Sequence, residues 1–414
     1  MNPSPSSIWR DRDFVRLWSA GTISIFGSLI GRTAMPFVAI LVLHAGALEV
    51  SVLLSLELTA SLIVGLAAGA WVDRLRRRPV MIASDLGRAV LLATIPIAAI
   101  AGVLGLAQLY VVAFLGAILS TFFDLADRAY LPTLVAPERL VAANSALTAS
   151  SSAAEFTGFG IGGLLVELLT APFAVALDAV SFVVSALFVR SIRRPEPPPP
   201  PAADREPMLR EIRHGLRLVG RSPVLRALAL SNAFSHMTWG IFGAVYFLYA
   251  SQELGLGPAA IGLIAGIGGL SSLAGALLVQ PVVRRIGIGR TMLVGIVGFG
   301  VGNALIPLAP SGAVAIGALF LIGQQVIADG GATAYDIIDT SVRQSIVGDR
   351  LLGRVNATIR TSSTLLQLGA TVFAGVVGEV YGLRFVLWVG LAGAFLAFAS
   401  IWFSPLRSMG DVPD

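Results

Sequence analysis

The sequence predicts an all-α membrane protein: twelve transmembrane helices in two six-helix bundles related by a pseudo-twofold repeat. Three observations carry this. The 414-residue chain is 56% hydrophobic and only 13% charged, whereas a soluble domain carries roughly 25% charged residues. Twelve segments reach the roughly 20 apolar residues that a helix needs to cross a bilayer: 15–43, 48–71, 79–102, 107–130, 143–167, 173–192, 224–250, 258–281, 291–309, 313–338, 356–380 and 385–404. Finally, one half of the chain falls onto the other at an offset of 212 positions. Asp124-Leu-Ala-Asp127 lies over Asp336-Ile-Ile-Asp339, Arg78 over Arg290, Asn144 over Asn356, Gly163 over Gly375, Glu167 over Glu379 and Phe173 over Phe385. Between the Asp pair and the Asn the register slips by one, where Glu138-Arg139-Leu140 pairs with Asp349-Arg350-Leu351. Repeated bundles of this kind bind what they move near the membrane midplane, at the repeat interface.

Charge orients the spans. The N-terminal end, with Arg10, Asp11, Arg12 and Asp13 before the first apolar run, has no small-residue cleavage site and reads as a mature cytoplasmic end. There is no Lys, so all 29 basic residues are Arg. Arg32 and Arg88 lie deep inside spans and Arg384 stands alone in one set of loops; every other Arg belongs to the opposite set of loops with their flanking turns or to the chain ends. That asymmetry places both termini in the cytoplasm. The two bundles, 1–192 and 224–414, are joined by 193–223. This connection opens with Arg193-Arg194-Pro195-Glu196 and the stiff five-proline run Pro197 to Pro201. Residues 206–220 follow as an amphipathic helix, with Leu209, Ile212, Leu216 and Val219 on one face and Arg210, Arg213, Arg217 and Arg221 available to anionic headgroups. A plain solvated linker is the other reading.

Several chemistries are excluded. The absence of Cys removes disulfides, thiolates and Cys-based metal sites. His44, His214 and His236 show no metal-ligand spacing, and no nucleophile–base pair is visible, so neither an enzyme nor a cofactor is expected. The glycine clusters 266–269 and 298–302 lie in apolar spans with no preceding strand, so they are packing surfaces and not nucleotide loops. The basic pI of about 10.2 reflects membrane-flanking Arg, so nucleic acid is not an expected partner.

Gly69-Ala70-Trp71-Val72-Asp73-Arg74-Leu75-Arg76-Arg77-Arg78, between the second and third spans, resembles the cytoplasmic signature loop of the major facilitator superfamily, with Arg76 where the family usually has Gly. The repeat copy, Val283-Arg284-Arg285-Ile286-Gly287-Ile288-Gly289-Arg290, keeps the Gly and the final Arg. The resemblance implies rocking bundles, alternating access and a gating role for Asp73, Arg74, Arg77 and Arg78. Asp73 would dock on the positive start of the eleventh span, around Arg354 to Asn356, and stabilise the outward-open state. Asp85, Arg88, Asp124, Asp127 and Arg128 lie towards the cytoplasmic ends of spans three and four, and Asp336 and Asp339 repeat the Asp pair in the tenth. A structural and gating charge network is favoured there over a proton relay.

Phe14-Val-Arg16-Leu-Trp18-Ser19 and Leu131-Pro132-Thr-Leu134-Val135, followed by Leu140-Val-Ala-Ala-Asn144, resemble the bacterial branch that holds siderophore exporters and macrolide-type efflux proteins. The implied location is the cytoplasmic membrane of a bacterium. In the fifth span, Gly158-Phe159-Gly160-Ile161-Gly162-Gly163 stands where exporters of the family show a Gly-Pro motif, with Phe159 replacing the Pro.

An ionisable group deep in the membrane is costly unless paired or hydrated, so each is a functional candidate. These are Arg32, Glu57, Glu155, His236 and Asp329, with Trp239 one turn beyond His236 as an aromatic wall. The resemblance makes the first span cavity-lining, so Arg32 needs a carboxylate, Glu57 or Glu155. A fixed ion pair and a proton-exchanging one both fit. The expected activity is proton-coupled export of a hydrophobic or amphipathic small molecule by a monomer in contact with membrane lipids. One charge crossing 100 mV supplies about 2.3 kcal/mol. The competing readings are an importer of a polar metabolite, a lipid or lysolipid flippase, and a scaffold indifferent to its central charges.

Overall fold

The structure is a computed structural model that describes residues 8–72, 75–196 and 208–410. Among these residues there are thirteen α-helices: α1 (Arg12–Phe37), α2 (Ala47–Val72), α3 (Arg77–Ile100), α4 (Leu106–Leu134), α5 (Leu140–Leu169), α6 (Ala171–Ser191), α7 (Met208–Arg221), α8 (Pro223–Leu248), α9 (Pro258–Ile286), α10 (Ile288–Leu308), α11 (Val314–Ile346), α12 (Asp349–Tyr381) and α13 (Leu383–Trp402). Eleven are long and apolar enough to span a bilayer. The short α7 is the connecting helix. The remaining one, α8, has 26 residues, enough for a span. Its most apolar stretch is less apolar than those of the other long helices because Arg226, Asn232, Ser235 and His236 interrupt its hydrophobic run. With α8 counted, the long helices number the twelve the sequence predicts.

The chain divides into two compact units: residues 1–44 with 56–203, and residues 45–55 with 204–414. In the first unit α1 packs on α5 and α6, and α3 on α4 and α6. In the second, α8 packs on α12 and α13, and α10 on α11 and α13. These are the same pairs, shifted by one repeat. One core is built on Phe14, Leu17, Met81, Phe123, Tyr130 and Leu134, the other on Leu228, Met292, Ile296, Tyr335, Ile338 and Ile401. Side chains such as Val90, Ile97, Ile100, Leu277 and Phe395 remain exposed on the long helices. A lipid solvent accepts such a surface, since acyl chains are as apolar as Leu.

The repeat is written into the backbone as well. Helices α1 and α8 each end in a five-residue π-helical turn, Val38–Val42 and Tyr249–Glu253. Positive φ recurs at His44 and Gly255, Gly102 and Gly312, and Thr170 and Gly382. The starts of α3 and α10 are each capped by the segment that follows the last long helix of the same half. Glu196 accepts the backbone N–H of Arg77 at 2.5 Å and of Arg78 at 3.2 Å; the carbonyls of Gly410 and Met409 accept those of Ile288 at 3.1 Å and Gly289 at 3.0 Å. Each cap satisfies donors that a helix N-terminus leaves orphaned.

Helix α7 does not lie free of the protein. Val219 is buried with Leu225, Val347, Val355 and Ile359, and Gly215 sits so close to α12 that an added Cβ would strike Thr358 Oγ1. Leu216 and Arg217 face outwards; the side chains of Leu209, Arg210, Ile212 and Arg213 lie outside those described. The amphipathic face expected to meet a membrane therefore spends part of its apolar stripe on α12.

Candidate functional site

The polar interruption of α8 has a purpose in the fold. Asn232, Ser235, His236 and Trp239 recur at i, i+3, i+4 and i+7, which puts them on one helical face. That face lines a pocket of about 360 Å³ within the second unit, closed by Gly295, Ile296 and Phe299 of α10, Ala332, Tyr335 and Asp336 of α11, and Gln367 of α12. The volume falls inside the range of small-molecule sites, roughly 300–1,000 Å³. Helices α10 and α11 approach closely because Gly295 lies against the Gly331 backbone: a Cβ there would come within 2.7 Å of the Gly331 carbonyl oxygen.

The pocket's walls are chemically distinct. Trp239 and Phe299 have ring centroids 5.7 Å apart at an interplanar angle of 38°. His236 Nδ1 is 3.0 Å from the Asn232 carbonyl oxygen. A carbonyl only accepts, so Nδ1 carries a proton and donates it there, leaving Nε2 as the ring nitrogen without a hydrogen bond to the carbonyl. Asn232 Oδ1 accepts the Ser363 hydroxyl at 2.7 Å, which leaves its amide NH2 for the pocket. Uncharged Asn, Ser and Gln converge on this lining from two helices.

Of the other expected residues, Arg32 and Glu57 are brought together. Arg32 is exposed on α1 and acts electrostatically on Glu57 of α2, with no direct ion pair between them among the described residues. Glu155 is exposed on α5 and is not part of this pair. Asp329 is separate from the pocket. Its carboxylate lies over Gly268 of α9, where a Cβ would meet Asp329 Oδ2 and Gln325 Nε2, and its charge reaches Tyr246 of α8.

Asp73 and Arg74 lie outside the described residues. Arg77 and Arg78 open α3 over the Glu196 carboxylate, and the Arg77 guanidinium is 3.7 Å from it. Asp13 of α1 accepts the backbone N–H groups of Arg193 and Arg194 at 3.1 Å each. Thus 193–196 is pinned beneath α1 and α3, a role the sequence reading did not assign to Glu196. The second-half Asp pair divides its tasks. Buried Asp339 accepts Arg343 Nη2 at 2.6 Å, and the same guanidinium donates to Asn356 Oδ1 at 2.8 Å; Asp336 lines the pocket. In the first half, Asp124 acts electrostatically on Arg88 and on Asp127.

Arg88 is the centre of a buried cluster. It donates to Asp85 at 2.5 Å and stacks on Phe182 at 3.9 Å and Phe123 at 4.7 Å. Asp178 of α6, which the sequence reading passed over, is buried beside it. Its presence in the apolar sixth span was the visible signal.

Comparison with known proteins agrees with this architecture. The Major Facilitator Superfamily profile matches residues 17–366. The chain is 30% identical over 282 residues to an uncharacterized MFS-type transporter, y4rN, of Sinorhizobium fredii, covering 67% of each chain. It is 32% identical over 296 residues to the multidrug efflux pump Tap of Mycolicibacterium fortuitum, covering 68% of this chain and 70% of that one. Among solved structures, a bacterial homologue of the iron transporter ferroportin in its inward-facing state superposes with a TM-score of 0.77 at 20% identity, over 97% of this chain and 100% of the other. At that identity the likeness speaks for the fold alone.

Proposed function

The chain belongs to the Major Facilitator Superfamily, and on that premise we propose that it is a proton-coupled exporter of hydrophobic or amphipathic small molecules, working by alternating access. The observation that carries this is the pocket in the second unit, with an aromatic wall of Trp239 and Phe299 and polar groups on one face of α8. Such a mixture grips an apolar body and orients it through few polar contacts. The relationship to a multidrug efflux pump supports the outward direction.

In this reading Arg32 and Glu57 form the coupling pair. A carboxylate held near one guanidinium without a direct bond is free to exchange its proton when the Arg turns to water or cargo. Glu155 and Asp329 are the alternative carriers. Asp73, Arg74, Arg77, Arg78, Asp124, Asp127 and Asp339 are assigned to the gate, as are both termini to the cytoplasmic side of a bacterial membrane. Inside-out vesicles loaded with the protein test the proposal. Accumulation of apolar dyes should rise with an imposed pH gradient and collapse with an uncoupler. Glu57→Gln should keep dye binding and lose at least tenfold of the gradient-driven rate. Accumulation that ignores the gradient removes the coupling; uptake in right-side-out vesicles alone makes the protein an importer.

A further inference from the structure

We propose that the pocket selects organic cations bearing an aromatic ring, with Asp336 as the counter-charge and Trp239 and Phe299 as the ring-binding wall. The assignment rests on the reading of this pocket as the cargo site.

Charge comes first. Among the described residues Asp336 is the only Asp, Glu or Arg that lines the pocket. Arg343 acts on it electrostatically, but that guanidinium donates to Asp339 and Asn356. Among the described residues Asp336 makes no hydrogen bond and no ion pair. A carboxylate on an aromatic-walled cleft favours a positive partner, and it would repel an anionic cargo.

The rest of the lining suits the same partner. His236, whose Nδ1 is used by the Asn232 carbonyl, presents Nε2 as an acceptor whenever its ring is neutral. The Gln367 side chain makes no hydrogen bond among the described residues, so its carbonyl oxygen is a second acceptor for an N–H of the cargo. Trp239 is 44% exposed although its ring leans on Phe299, which leaves an indole surface open to a cation or a ring. The volume of about 360 Å³ admits a molecule of two or three fused rings. A bare divalent metal fits less well: only His236 and Asp336 are strong ligands here, and no group of three such residues occurs among the described residues.

Fluorescence anisotropy on the purified full-length protein in detergent tests this, with ethidium as the aromatic cation and N-phenyl-1-naphthylamine as a neutral aromatic. Asp336→Asn should weaken ethidium at least tenfold and leave the neutral probe within twofold; retention of the neutral probe also shows that the variant is folded. Asp336→Glu should restore cation binding, and Trp239→Ala should weaken both probes. Equal ethidium affinity in wild type and Asp336→Asn overturns the proposal. So does displacement of ethidium by micromolar Mn2+ from wild type, which would make the pocket a metal site. The two readings separate in vesicles: gradient-driven export of neutral but not cationic dyes removes this inference and leaves the exporter, whereas Asp336-dependent ethidium binding without gradient-driven export does the reverse.

Discussion

The two halves reach the same helix pairing with the knobs and holes exchanged. In the first unit the sixth helix supplies the bulk: Asp178 and Ser181 of α6 press onto Gly31 and Gly27 of α1, where a Cβ on Gly27 would sit 1.9 Å from Ser181 Oγ. In the second unit the residues at the repeat positions of Asp178 and Ser181 are Gly390 and Gly393. They are the holes, receiving Ile241, Phe242 and Thr238 of α8. The third helix follows suit. Arg88 lies over Phe182 at 3.9 Å, whereas at the repeat positions Gly300 faces Ala394, with 3.4 Å from an added Cβ to the Ala394 side chain. The duplicated backbone keeps the helix pairing, not the side that fills it. The exchange puts charge inside the first unit and frees the polar face of α8 in the second to line a pocket.

The charged contact is where the comparison breaks most easily. Asp85 and Arg88 are 0% and 5% exposed, and removing one member of such a pair leaves an uncompensated buried charge, at a cost of about 3–5 kcal/mol. Arg88→Ala should lower the stability of the purified protein by that amount in an equilibrium unfolding titration. The neutral set Asp85→Asn, Arg88→Gln and Asp178→Asn should recover more than half of the loss. If the triple variant is as unstable as the single one, the cluster is held by packing on Phe123 and Phe182 and not by its charges.

The glycine contacts come next. Gly27→Ala must move α1 from α6, because Ser181 Cβ is also only 2.5 Å from the added carbon; overpacking of this kind costs about 1–3 kcal/mol. Gly393→Ala should cost as much, against Phe234 O at 2.7 Å. Gly243→Ala, at the repeat position of Gly31, meets nothing within 4 Å and should be neutral. Thermal unfolding of the three variants side by side checks the exchange; a Gly243→Ala variant as unstable as Gly27→Ala would show that the holes are not exchanged.

Much of this fold was legible because a lipid solvent forces long apolar runs, and because identities such as Asp124 and Asp336 survive the repeat. His236 and Trp239 stand out in the sequence as polar or aromatic groups within a span, and both line the pocket. Asn232, Ser235 and Gln367 do not stand out. Uncharged polar residues are common in helices, and only the packing of α8 against α12 brings these together. Asp178 obeyed the same rule as Glu57 and was passed over. Glu196 was hidden differently, since nothing local to a Pro-rich segment names the helix start it caps. The knob-and-hole exchange left no trace in the repeat alignment, because alignment scores identity and this contact depends on complementarity.

The smallest expected effect isolates the backbone from all of this. Thr170 and Gly382 occupy the same place, the residue before the sixth helix of each unit, with φ/ψ of 72°/157° and 89°/155°. That region is essentially reserved for Gly and costs other residues about 1–3 kcal/mol. Thr170 recovers none of it through capping, since its side chain makes no cap hydrogen bond. Thr170→Gly should therefore stabilise the protein by about 1 kcal/mol, the strain relieved less the entropy that Gly adds to the unfolded chain. Gly382→Thr should cost about 1–3 kcal/mol. An added Cβ at Gly382 meets nothing within 4 Å, so that loss would report conformation and not a clash. Equilibrium unfolding of both variants reads the two signs directly. Opposite signs mean the halves share this turn and differ only in how well its residue fits; a destabilised Thr170→Gly would mean that the Thr hydroxyl or methyl contributes more there than the strained backbone costs.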